Sequence, residues 1–262
     1  MSARPKKSFG QHFLHERRYI ERIVSAISPR PTDFLVEIGP GEGALTFPLL
    51  TAAGKLTAIE LDTDLIPHLQ ANSAGVGELS IIHADVLKVD FTALAQRHGV
   101  SHLRIAGNLP YYISSPILFH CIDHAAAIAD MHFMLQKEVV DRMAADPGSK
   151  VYGRLSVMLQ LACRVEPLFD VPPGAFRPPP KVDSSVVRLV PLSAEARHDA
   201  DPERLYAVVK AAFAQRRKTL GNALRQLMDA DAIRLADVDP KARAETLAPE
   251  DFVRLAKVTT AS

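Results

Sequence analysis

Glu37-Ile38-Gly39-Pro40-Gly41-Glu42-Gly43-Ala44 is the stretch that decides how this chain folds. It follows the apolar run Phe34–Ile38, which reads as a strand, and leads into a helical pattern that begins at Ala44. Glycines in such a turn keep it tight and let the backbone approach a ligand. Gly39-x-Gly41-x-x-Ala44 satisfies the loose dinucleotide fingerprint of a first strand–helix turn. Glu60 ends the next strand, 21 residues after Gly39, close to the ~20 expected of an acid that binds ribose hydroxyls. These features predict a nucleoside-type cofactor in a doubly wound fold. They leave NAD and S-adenosylmethionine equally open.

Outward from the turn, strand and helix patterns alternate. A helix over Tyr19–Ser28 is ended by Pro29 and Pro31. Strands are predicted at Leu56–Leu61, Leu79–His83, Leu103–Gly107 and Ala129–Leu135. Helices are predicted at Leu65–Leu69, Phe91–Arg97, Pro116–Ile122 and Lys137–Ala145. Such alternation implies a mainly parallel sheet covered on both faces. Then the pattern changes. A helix near Leu155–Ala162 precedes two strand-like runs, Arg164–Val171 and Ser185–Val190, joined by a proline-rich loop. Strands joined without a long helix predict an antiparallel ending. Beyond the polar linker Ser193–Asp201 only helical patterns remain: Glu203–Phe213, Lys218–Met228 and shorter ones toward Leu255. The expected organisation is an α/β domain over 1–195 and a small all-helical domain over 196–262.

Composition narrows the classes. The chain has 262 residues with an ordinary apolar and charged content, enough for one large domain and a small one. Its first 18 residues are basic and polar, unlike a secretory signal, and no apolar run is long enough to span a bilayer. Cys121 and Cys163 lack CxxC spacing and read as reduced core thiols of a cytoplasmic protein. The ten histidines show no ligand spacing, so no metal is expected. Net charge is only +1, but Arg4, Lys6, Lys7, Arg17, Arg18 and Arg22 load one segment and Arg216-Arg217-Lys218 another, with Lys210 and Arg225 nearby. Such clusters are usually solvated faces; beside a base-sized pocket they become candidate phosphate contacts.

The chemistry concentrates at strand ends. Asp85 follows the third strand and can accept an adenine amino group or simply cap the next turn. Asn108-Leu109-Pro110-Tyr111 ends the fourth strand. The Asn108 side-chain oxygen and a backbone carbonyl can each accept one N–H of an exocyclic amine. Pro110 restricts Leu109 to extended geometry, and Tyr111 offers a face for stacking. Met131, Phe133 and Met134 are most simply core.

Several motifs, taken together, resemble those of the ribosomal RNA adenine dimethyltransferases over nearly the whole chain. They are Phe9-Gly10-Gln11-His12-Phe13-Leu14, Glu37–Gly41, Asn108–Tyr111, Met131–Val139, Phe176-x-Pro178-Pro179-Pro180-Lys181-Val182-Asp183-Ser184 and Phe213-x-x-Arg216-Arg217-Lys218-Thr219-Leu220. The proline loop and Gln136-Lys137-Glu138 look more like the bacterial small-subunit enzymes than the erythromycin-resistance methylases. The resemblance implies a Rossmann-like S-adenosylmethionine-dependent enzyme that dimethylates N6 of two adjacent adenosines. These lie in the 3′-terminal hairpin loop of small-subunit (16S) rRNA. It implies a monomer acting on an immature 30S particle, with no metal and no membrane partner. It assigns His12, Leu14, Gly39 and Gly41 to the methionine part of the cofactor, Glu60 to the ribose and Asp85 to the adenine. Asn108 lies where cofactor and substrate meet; with the Leu109 carbonyl it would hold the target amine. Tyr111 and Phe176 would sandwich the target base, and Arg216, Arg217 and Lys218 would contact RNA. Two positions depart from the family pattern: His12 and Tyr112 stand where Asn is common, and no role carries over to Tyr112.

Overall fold

The computed structural model describes residues 12–258. Residues of the basic arm before His12, including Arg4, Lys6, Lys7 and Phe9-Gly10-Gln11, lie outside the described residues. The chain divides into two compact units, one of 1–140 with 166–191 and the other of 141–165 with 192–262.

In the first unit β1 (Phe13–Leu14) and α1 (Arg17–Ile27) precede an alternating series. It runs β2 (Leu35–Ile38), α2 (Thr46–Ala53), β3 (Lys55–Glu60), α3 (Ile66–Ser73), β4 (Glu78–His83), α4 (Phe91–Arg97), β5 (Leu103–Asn108), α5 (Ser114–Asp123) and β6 (Ile128–Gln136). After α6 (Lys137–Met143) and α7 (Arg154–Gln160) come β7 (Cys163–Val171), β8 (Phe176–Arg177) and β9 (Ser184–Pro191). The main sheet has seven strands in the order β4-β3-β2-β5-β6-β9-β7. The β2–β6 pairings are parallel, and β9 runs antiparallel to β6, with Phe133 opposite Val187. The mixed ending expected from the two helix-free runs therefore forms.

Strand order reverses between β2 and β5. The chain winds outward through β3 and β4, then returns to the other side of β2. At such a switch point the loops beyond the strand ends diverge and leave a crevice. The turn after β2 and Asn108 at the end of β5 therefore flank the same opening. Gly107 allows the close approach: a Cβ there would lie 2.6 Å from the Ile38 carbonyl oxygen.

Residues Leu35, Val36 and Ile38 of β2 are buried, as are Met131, Phe133 and Met134 of β6. Helix α1 presents Ile23 and Ile27, one turn apart, to a core that includes Leu35, Leu49, Leu50 and Met134. It ends at Ser28, whose left-handed backbone (φ 47°) returns its N–H to the Val24 carbonyl. Arg104 then clamps that end. Its guanidinium donates to the Ile27 carbonyl (2.7 Å), to Asp33 (2.6 Å) and to Asp130 (2.9 Å).

The second unit is helical. Its core gathers Tyr152 and Val157 with Leu205, Val208, Val209 and Ala212 of α8 (Pro202–Phe213) and residues of α11 (Pro249–Lys257). Between these helices lie α9 (Leu220–Ala223) and α10 (Ala230–Leu235). The long helix expected over Lys218–Met228 is one short turn instead. At its start the Leu220 and Gly221 N–H groups, which have no partner within a first helical turn, donate to the carbonyls of Ala242 and Pro240, and Gly221 is a poor helix residue. Residues 141–165 pack here too, a grouping that a single cut near 195 does not express. Cys121 and Cys163 are both buried and form no disulfide, and burial pushes the Cys163 thiol up to about 12.

Candidate active site

A cavity opens at the carboxyl ends of β2, β3, β4 and β5. It is lined by His12, Leu14, Gly39, Gly41, Glu60, Asp85, Asn108, Leu109 and Tyr111, which the sequence singled out, and by Glu37, Asp62 and Tyr112, to which it gave no role. The glycine turn is held open by backbone shape. Gly39 and Gly41 have φ of +66° and +58°, a region where side chains strain. A Cβ on Gly41 would also meet the Phe13 ring at 3.1 Å, so the N-terminal strand lies against this turn.

Glu60 is nearly buried and braces the turn. One carboxylate oxygen accepts from the Gly41 N–H (3.3 Å) and the other from the Asp62 N–H (2.7 Å). Burial raises its pKa, and those backbone donors oppose the rise. Asp85 lines the cavity, and one of its oxygens caps the following turn through the Leu87 N–H (3.0 Å).

Glu37 is the residue that sequence reasoning missed. It is 1% exposed, and its Oε2 has no hydrogen-bond partner. Burial pushes its carboxyl up to about 7; the approach of the Thr46 hydroxyl opposes this without closing a hydrogen bond, and Glu60 adds to it. The available signal was an acid in the middle of the apolar run Leu35-Val36-Glu37-Ile38.

At the other side, the Asn108 amide nitrogen donates to the His12 carbonyl (3.0 Å). A carbonyl can only accept, so this bond fixes which end of the amide is which and leaves Oδ1 as the acceptor. The Leu109 N–H is tied to the Met134 carbonyl (3.1 Å), which fixes the Asn108–Leu109 peptide immediately before the Leu109 carbonyl. The Tyr111 ring is half-buried, shares a hydrogen bond with the Ser184 hydroxyl (2.7 Å) and is stacked by the His12 ring at 5.6 Å. His12 Nδ1–H in turn donates to the Pro178 carbonyl (2.7 Å).

The proline loop thus reaches the acceptor side through Pro178 and Ser184. It does not do so through Phe176. That ring is 2% exposed, sits in the core with Leu14 and Ile23, and is not among the cavity's lining residues. The pairing of β8 with β1, Leu14 opposite Phe176, turns the side chain inward. The expected two-sided aromatic sandwich therefore has only Tyr111 in place.

Arg216, Arg217 and Lys218 belong to the second unit and lie on a turn after α8. Arg216 is committed internally: it pairs with Glu245 (3.1 Å) and donates to the carbonyls of Lys150 (2.8 Å) and Tyr152 (3.5 Å). Arg217 and Lys218 are exposed. Among the described residues no group of three or more His, Cys, Asp or Glu is placed to hold a metal. No helix among them is long and apolar enough to cross a membrane.

Comparison with known proteins agrees with this geometry. The chain is 63% identical over 260 residues to the ribosomal RNA small subunit methyltransferase A of Xanthomonas campestris pv. campestris, covering 99% of this chain and 98% of the relative. A dimethyladenosine transferase from Plasmodium falciparum superposes with a TM-score of 0.79 at 26% identity, over 93% of this chain and 96% of that one. The 23S rRNA methyltransferase ErmE gives 0.72 at 28% identity, over 94% and 98%. The ribosomal RNA adenine dimethylase family pattern matches residues 2–261, and the chain belongs to that family.

Proposed function

We propose that the protein transfers methyl groups from S-adenosylmethionine to N6 of two adjacent adenosines in the 3′-terminal hairpin loop of small-subunit rRNA during subunit assembly. The observation that carries this reading is the Asn108 amide, oriented by the His12 carbonyl, in the same cavity as Gly39, Glu60 and Asp85. The residues present fit the cofactor. Glu60 suits ribose hydroxyls, Asp85 an adenine amine, and the backbone of His12, Leu14, Gly39 and Gly41 the methionine part. The unpartnered Glu37 oxygen suits a nearby cation.

When bound, S-adenosylmethionine supplies an electrophilic methyl group. The protein's task is to present the amine. An adenine N6 is a weak nucleophile because its lone pair is conjugated with the ring. Asn108 Oδ1 and the Leu109 carbonyl would each accept one N–H, which favours a pyramidal nitrogen with its lone pair aimed away from both. Alignment of this kind supplies most of the rate. The proton can leave after transfer, so no dedicated base is required. The adenosine must leave its stack, which is inexpensive for an unpaired loop nucleotide. Tyr111 would support one face of the base. Arg217 and Lys218 would meet phosphates. The 63% identical small-subunit relative favours small-subunit over large-subunit rRNA. Incubation with labelled S-adenosylmethionine and immature small subunits, followed by mapping of the label, tests the reading. Label on two neighbouring adenosines near the 3′ end is expected; label elsewhere in the small-subunit rRNA, or none, would overturn it.

A further inference from the structure

We propose that Tyr112 is a second base-stacking platform at the mouth of the cavity, taking the nucleobase adjacent to the one that enters. The inference rests on the acceptor being an RNA adenosine. Tyr112 lines the cavity yet is 60% exposed. A lone exposed aromatic is unremarkable by itself; its position is what matters. The Tyr111 ring beside it already carries His12 on one face and spends its hydroxyl on Ser184. Phe176 is in the core. His12 and Phe13 also line the cavity, but both are half-buried, His12 on the Tyr111 ring and Phe13 against Gly41. The most exposed aromatic ring at this mouth is therefore that of Tyr112.

The backbone that carries the ring is fixed. Tyr112 sits in a single turn, Tyr111–Ile113, closed by the Ile113 N–H to the Pro110 carbonyl (3.2 Å). The Ser114 hydroxyl holds the Tyr111 carbonyl (3.1 Å), and α5 follows at once. The backbone at this point therefore needs no further ordering when a base docks, and the cost is confined to the side chain. A base inside the cavity meets Asn108 and Tyr111, whereas one just outside meets Tyr112. A substrate with two unpaired neighbouring adenosines offers both. Stacking of this kind tolerates any base, because every base has a π face.

Binding reads this out independently of turnover. The probe is a short RNA hairpin with two adjacent loop adenosines, each replaced in turn by 2-aminopurine. Wild-type protein should quench the fluorescence of the base outside the cavity. Tyr112→Ala should lose that quenching and bind the hairpin roughly ten-fold more weakly, with unchanged affinity for S-adenosylmethionine and an unchanged melting temperature. Tyr112→Phe should restore both signals. Wild-type quenching and affinity in Tyr112→Ala, or no quenching by the wild type at either position, would overturn the platform. A wild type that binds and quenches but transfers no methyl group would instead overturn the proposed reaction and leave the platform standing.

Discussion

At residue 108 one hydrogen bond orients a side chain. Asn108 gives its N–H to the His12 carbonyl, which leaves its oxygen as the acceptor for the proposed substrate amine. Asn108→Ala should lower kcat by about 10²–10³, on the order of 2.7–4 kcal/mol, as removal of one preorganised polar group does. Titration calorimetry should find S-adenosylmethionine binding nearly intact; near-normal turnover would remove Asn108 from its assigned role. Glu37 makes a different prediction. Its folded pKa of about 7 lies above the ordinary value of 4.5, so the folded state holds the proton more tightly than the unfolded chain. The protonated form is favourable below about pH 4.5, and that contribution is lost as pH rises toward 7. At about 1.4 kcal/mol per pH unit, Glu37 by itself should contribute a loss on the order of 3 kcal/mol across this window. Glu60, also raised by burial, adds to that loss, whereas buried His132, whose pKa is lowered to about 4, opposes it. The test is therefore the difference between two proteins: relative to wild type, Glu37→Gln should gain stability at about pH 8 over about pH 5, as read by urea denaturation. Parallel curves for the two proteins would show that Glu37 does not titrate there.

At the scale of elements, the two-residue pair β1–β8 does more than its length suggests. It brings the N-terminal strand over the glycine turn, places the His12 carbonyl against Asn108, and points Phe176 into the core. Phe176→Ala should consequently act as a cavity mutation, costing about 3–5 kcal/mol of stability. Denaturant midpoints should fall, with loss of activity following loss of fold. A variant of wild-type stability but impaired turnover would return Phe176 to the base-stacking role.

For the whole molecule, a net charge of +1 means that attraction to RNA must come from local patches. In the second unit the three basic residues divide by geometry. Arg217→Ala with Lys218→Ala should weaken rRNA binding at low salt. It should also flatten the slope of log affinity against log salt by about 0.7–0.9 for each phosphate no longer neutralised. Arg216→Ala should also destabilise the unit, by about 0.5–1.5 kcal/mol, because it removes the tie between Glu245 and the Lys150 and Tyr152 carbonyls at a half-exposed site. A wild-type salt slope in the double variant would place the RNA-binding surface elsewhere.

The sequence alone determined the parallel sheet, its antiparallel ending, the glycine turn and the strand-end residues Glu60, Asp85 and Asn108. Those features are local: hydrophobic period, glycine and proline placement, and motif spacing are written in consecutive residues. The tertiary structure alone decided where Phe176 points, that Arg216 is spent on Glu245, that Glu37 is an orphaned buried acid, and that Lys218–Met228 does not continue as a helix. Each of these depends on partners distant in the chain: Leu14 for Phe176, Lys150 for Arg216, Glu60 for Glu37, and the carbonyls of Pro240 and Ala242 that anchor the short turn at Leu220 and Gly221. A side chain's type can be read from its neighbours in sequence. The face it turns, and the proton it keeps, are set by whatever the fold packs against it.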